Sequence, residues 1–119
     1  MSYDIALVHP VTRERLEVDE PHFIRGGTYC ISGTTECKLN VTYNYGVFFR
    51  KVLDPEKGIR SLYGMSGAES IPVLKEAISK LGDDVDPDYW KPTEGNAKQA
   101  LYGLLALAQM RPDGIWDGD

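Results

Sequence analysis

The chain has 119 residues, of which 42% are hydrophobic and 26% charged, and a formal net charge of −5. That length and apolar content suit one domain that buries roughly two-thirds of its unfolded surface without disulfides or metals, and they exclude wholesale disorder. The acidic balance argues against direct nucleic-acid binding, which needs a basic patch to neutralise phosphates.

The N-terminal third reads as β-rich. Tyr3, Ile5 and Leu7 alternate with Asp4, Ala6 and Val8, the period of a strand. His9 to Glu14 contains Pro10 and reads as a turn. Leu16 and Val18 then predict a second strand that pairs back antiparallel on the first. Pro21 to Gly27 reads as a loop, and Gly26-Gly27 suggests a backbone that other residues would resist. The strongest local signal follows. Thr28–Ser32 and Thr35–Thr42 flank Gly33-Thr34, a glycine-first pair that suits a tight hairpin turn. That register sets Cys30 opposite Cys37. It puts Cys37, Leu39, Val41 and Tyr43 on a core face, and Glu36, Lys38, Asn40 and Thr42 on a face open to water or a ligand.

Helices fill the rest. Phe48 with Val52, and Phe49 with Leu53, predict a helix from about Asn44 or Tyr45 to Leu53, with Asn44 as N-cap and Asp54-Pro55 as stop. Ile59 to Tyr63 is a short apolar piece, helical or extended. Ile71, Leu74, Ile78 and Leu81 predict a second helix, with Ser70 as N-cap, Pro72 in the first turn and Gly82 at the end. Asp83 to Pro92 reads as an acidic loop carrying Tyr89-Trp90. The last helix starts at its N-cap, Thr93, and buries Ala97, Leu101, Leu104, Leu105 and Ala108. Gly103 within it hints at close packing. Pro112-Asp113-Gly114 is a turn before Ile115-Trp116 and an acidic end. The expected fold is a single α+β domain, residues 1–119: a small antiparallel sheet with about three helices on one face.

No hydrophobic run approaches the roughly 20 residues that span a bilayer, and Met1-Ser2-Tyr3-Asp4 lacks the basic start of a signal peptide. The two cysteines do not form a C-x-x-C pair, so a reducing cytoplasm is the expected home. The excess charge is local. Residues 83–119 hold 8 of the 18 acidic side chains and 3 of the 13 basic ones.

Each candidate chemistry has a plainer structural alternative. Gly64-Met65-Ser66-Gly67-Ala68 approximates G-x-S-x-G but has Ala68 at the fifth place, and Ser66 with Glu69 makes a capping box instead. Cys30 and Cys37 read as small buried hydrophobes. His9 and His22 both lie in turns. Asp83, Asp84, Asp86 and Asp88 lack the glycine and terminal glutamate of a calcium loop. No catalytic residue, metal ligand or cofactor is therefore assigned. The candidate ligand or partner residues are Asn40, Thr42, Asn44 and Tyr45, a run of amides and hydroxyls leading into a helix N-terminus, with Trp90 and Trp116 beside acidic loops.

At Asn40-Val41-Thr42-x-Asn44 the chain resembles a group of small phage, prophage and bacterial proteins that carry an N-[IV]-T-x-N segment running into a helix. Gly67 to Pro72, Glu94 to Lys98 and Pro112 to Asp119 fit the same resemblance, which covers most of the chain. It carries no functional residues over. It implies a mobile-element setting and an accessory or host-directed role. Three readings follow: a non-enzymatic protein that binds a host protein, such as an anti-defence inhibitor; a small-ligand or nucleotide-binding protein; and an enzyme whose site is assembled from dispersed residues.

Overall fold

A computed structural model describes residues 1–23 and 33–119. In chain order its elements are β1 (Ser2–Val8), β2 (Glu17–His22), β3 (Thr34–Glu36), β4 (Lys38–Thr42), α1 (Gly46–Val52), α2 (Gly67–Ser79), α3 (Glu94–Met110) and β5 (Ile115–Gly118). Short 3-10 turns occupy Tyr43–Tyr45 and Ile59–Leu62. The fold is α+β: antiparallel sheets, set mostly in the N-terminal part, with three packed helices.

The main sheet has the order β4-β1-β5, with β1 antiparallel to both neighbours. Its inner face carries Tyr3, Ile5, Leu7, Leu39, Val41 and Trp116, all buried. These side chains join Phe49, Leu74, Leu101 and Leu104 from the helices in one hydrophobic core. Helix α3 reaches the sheet closely because Gly103 has no side chain. A Cβ there would lie 3.1 Å from Leu39 Cδ2.

Several expectations are corrected. The second strand does not pair back along β1, whose two flanks are taken by β4 and β5. It pairs with β3 in a separate two-stranded sheet. Its link to β1 is a single bridge, Val8 to Arg15, and the Leu16 N–H donating to the Leu7 carbonyl at 3.0 Å. The strand expected over 35–42 is split at Cys37, and its two halves enter different sheets. Gly33 does take a left-handed φ of +80°, but Thr34 already belongs to β3. The partner segment 28–32, the Cys30–Cys37 pairing and Gly26-Gly27 lie outside the described residues. Cys37 is a free, buried thiol.

The helix starts also move. Thr42, not Asn44, caps the turn into α1, its hydroxyl accepting from the Asn44 N–H at 3.2 Å. Helix α2 begins earlier than expected, at a capping box in which Ser66 accepts from the Glu69 N–H and Glu69 accepts from the Ser66 N–H, each at 3.0 Å. Ser70 is therefore inside the helix and fully buried, where its hydroxyl accepts the Trp116 indole N–H at 2.7 Å. Pro72 falls in the second turn, at an exposed position. The tail 115–118, expected as an extension after a turn, is strand β5. Thr93 caps α3 as expected, accepting from the Asn96 N–H at 3.1 Å. No helix among the described residues is long and apolar enough to cross a membrane.

Candidate functional site

A cleft of about 430 Å³ opens between β4, α3 and the loop that joins α2 to α3. Leu39, Val41, Ala100 and Gly103 supply its apolar floor, where α3 meets β4, and Val85 and Pro87 the loop side. The other lining residues are Asn40, Tyr45, Asp86, Tyr89, Asn96 and Gln99. Volume and lining fall in the range of small-molecule and side-chain pockets, about 300–1,000 Å³ with a few polar groups on an apolar surface.

The loop owes its place to α3. Asn96, buried in the first turn, donates to the carbonyls of Asp88 and Lys91 at 3.0 and 3.1 Å and accepts the Asp86 N–H at 2.9 Å. Gly95 lets the loop pass directly over the helix, since a Cβ would stand 2.5 Å from the Val85 nitrogen. The acidic side chains hold the same turn. Asp84 accepts the Gly95 N–H, Asp88 accepts the Trp90 N–H, and Asp83 pairs with Lys98 at 2.7 Å. The Asp88 N–H beside Asp86, and then Lys91 at 3.2 Å, hold the Asp86 carboxyl below its usual range. Among the described residues no group of three or more His, Cys, Asp or Glu is placed to hold a metal ion. His9 Nδ1 accepts the N–H groups of Val11 and Thr12, and His22 Nε2 bonds the Glu36 carbonyl oxygen.

On the β4 side, Tyr89 closes part of the strand edge that no described strand covers. Its hydroxyl accepts the Thr42 N–H at 3.0 Å and donates to the Asn40 carbonyl at 3.4 Å. Tyr45, fully buried, donates its hydroxyl to the Tyr89 carbonyl, and its ring meets the Tyr89 ring edge-on at 5.6 Å. Trp90 extends this aromatic row, 5.1 Å from Tyr89 and 46% exposed.

The run singled out in the sequence is thus only partly a site. Asn40 and Tyr45 line the cleft. Thr42 and Asn44 do not: Thr42 is buried and caps, and Asn44 donates to the Trp90 carbonyl at 2.7 Å. The expectation that Asn40 and Thr42 face water fails, because both are buried. Asn40 donates to Ser2 Oγ and Asp4 Oδ1 at 2.8 and 2.6 Å, and its own Oδ1 is the one buried side-chain polar atom without a partner among the described residues. Trp90 stands beside the cleft and Trp116 lies in the core.

Val85, Pro87, Asn96, Gln99 and Ala100 were not singled out as site residues, and Asp86 was weighed only as a calcium ligand. Gly95 in the first turn of a helix, where it serves no cap, is the sequence signal that points to another segment passing close by. Comparison with protein-family models, with curated proteins and with solved structures finds no match to this chain.

Proposed function

We propose that this is a small non-enzymatic accessory protein of phage or mobile-element type that acts by binding a host protein at the β4–α3 cleft. The carrying observation is the cleft itself, an apolar concavity of about 430 Å³ with exposed Val85 on its lining and exposed Trp90 beside it. Apolar pockets flanked by a large aromatic are where binding energy concentrates in protein interfaces. The second reading, a small-ligand binder, draws on the mixed lining of the cleft, where Asp86 and Gln99 stand among apolar groups. The lining includes Asp86 and no Lys, Arg or His, which favours a neutral or cationic ligand over a phosphorylated one.

Gln99 and Val85 are exposed lining residues, so Gln99→Arg and Val85→Arg fill the cleft without touching the core. Native mass spectrometry of the chain after incubation with host lysate tests the reading. The expected result is a protein-sized gain in mass that both variants lose. A gain of a few hundred daltons that both variants lose selects the small-ligand reading. A gain that neither variant alters rejects the cleft as the site.

A further inference from the structure

The geometry points to strand addition at the edge of β4 that no described strand covers as the way the cleft takes its partner: an extended, basic and apolar peptide segment that pairs with the backbone of Lys38 and Asn40. This inference rests on the protein-binding reading above and names its mode and the chemistry of the partner.

The register identifies which backbone groups are available. Leu7 N–H donates to the Cys37 carbonyl and Tyr43 N–H to the Met1 carbonyl, so the odd-numbered residues of β4 spend their groups on β1. Lys38, Asn40 and Thr42 occupy the alternate pairs and direct their N–H and C=O groups away from β1. Tyr89 confirms that direction, because its hydroxyl meets the Thr42 N–H and the Asn40 carbonyl. It satisfies only that end of the strand. The Asn40 N–H and both backbone groups of Lys38 have no partner among the described residues.

The other edge of this sheet is treated differently. The outward groups of β5 are closed by the chain just before α2: Gly64 N–H donates to the Trp116 carbonyl and Trp116 N–H donates to the Met65 carbonyl, each at 2.9 Å. Proteins cover or blunt exposed strand edges because an open edge is a template for another chain. Here the β5 edge is paired and the β4 edge opens beside a cleft whose floor, at Leu39, Val41, Ala100 and Gly103, accepts apolar side chains. Main-chain pairing supplies affinity in such additions, and the pocket supplies selectivity.

Charge sets the partner's sign. Asp86 is the charged group on the cleft lining, and the loop with the first turns of α3 carries Asp83, Asp84, Asp86, Asp88 and Glu94 against Lys91 and Lys98. A segment carrying Lys or Arg next to its apolar anchor is therefore drawn in, and an acidic one repelled.

The test selects binders from a random library of ten-residue linear peptides displayed on their own mRNA, using the full chain as bait. Selected peptides are resynthesised with a single backbone N-methyl group at each position in turn, and titrated against the wild type and Gln99→Arg. Hydrogen exchange of the Lys38 and Asn40 amides is followed in parallel. Strand addition expects basic, apolar sequences that Gln99→Arg weakens at least tenfold. N-methylation should weaken binding about tenfold at alternate positions and little between them, and both amides should slow their exchange on binding. Binders that Gln99→Arg weakens, but with unpatterned N-methyl effects and unchanged Lys38 and Asn40 exchange, overturn strand addition and leave the protein-binding reading standing. Acidic binders at the cleft overturn the assignment of the partner's charge. Failure to select any peptide sensitive to Gln99→Arg overturns both the mode and the reading beneath it.

Discussion

Cys37 sits where the chain leaves one sheet for the other. Its N–H donates to the Leu16 carbonyl at 2.8 Å and its carbonyl accepts the Leu7 N–H at 2.9 Å. The side chain is fully buried, and burial pushes the thiol up to about 11 from an ordinary value near 9, against a smaller opposing pull from Arg111. The folded pKa lies above the unfolded one, so this contribution is fully present below pH 9. As pH rises the unfolded thiol ionises first, and stability falls until the folded thiol follows near pH 11. At roughly 1.4 kcal/mol per pH unit, the loss across that window is on the order of 2–3 kcal/mol. Cys37→Ala is expected to be less stable at neutral pH, because it leaves a small cavity, yet to fall less steeply between pH 9 and 11. Urea unfolding of both proteins across that range checks this, and parallel curves would show that the thiol does not titrate as described.

At the scale of elements, α2 offers a sharp contrast between two serines. Ser66 is a cap, and its loss to Ala is expected to cost about 1 kcal/mol. Ser70 is a buried acceptor for Trp116, and Ser70→Ala leaves the indole N–H unpaired, at about 1–3 kcal/mol. A double-mutant cycle with Trp116→Phe separates them. The Ser70 effect should shrink when the indole is absent, and the Ser66 effect should not change. Additivity in both cycles would contradict the hydrogen bond. Helix α3 and strand β1 show what local sequence carries. Thr93 and the stripe from Ala97 to Ala108 announce α3 because cap and period act within a few residues, and the alternation in Tyr3–Val8 announces β1 for the same reason. Strand β5 has no such signal. Ile115–Gly118 is four residues long, and its partner lies at the opposite end of the chain. Leu16 and Val18 are buried as a strand face should be, but nothing local says that β4 and β5 have already taken both sides of β1. The cleft was half legible for a related reason. Asn40 and Tyr45 stand out as polar groups near a helix start, whereas Val85, Asp86 and Gln99 become neighbours only when Gly95 and Asn96 fold the loop back over α3.

For the molecule as a whole, Trp116 belongs to the core and Trp90 to the surface proposed for recognition. Trp116 is fully buried, belongs to the strand that completes the sheet, and bonds across to α2. Trp116→Ala removes a large core side chain and the indole N–H bond to Ser70, whose hydroxyl still donates to the Gly67 carbonyl, an expected loss of about 3–5 kcal/mol. That is a large part of the roughly 5–15 kcal/mol that holds a domain of this kind together. Trp90 is half exposed, and the bond that Asn44 makes in this region goes to its backbone carbonyl, which alanine keeps. Trp90→Ala, which loses the edge-on contact with Tyr89, should therefore cost only about 0.5–1.5 kcal/mol. The emission of each single-tryptophan protein carries the argument further. With Trp116→Phe, the remaining Trp90 should emit at long wavelength, be reached by acrylamide, and change when a peptide enters the cleft. With Trp90→Phe, the remaining Trp116 should emit at short wavelength, resist the quencher, and change only on unfolding. If occupation of the cleft altered Trp116 and left Trp90 silent, binding would have to act through the core of the sheet, and the surface beside Tyr89 would lose its role in recognition.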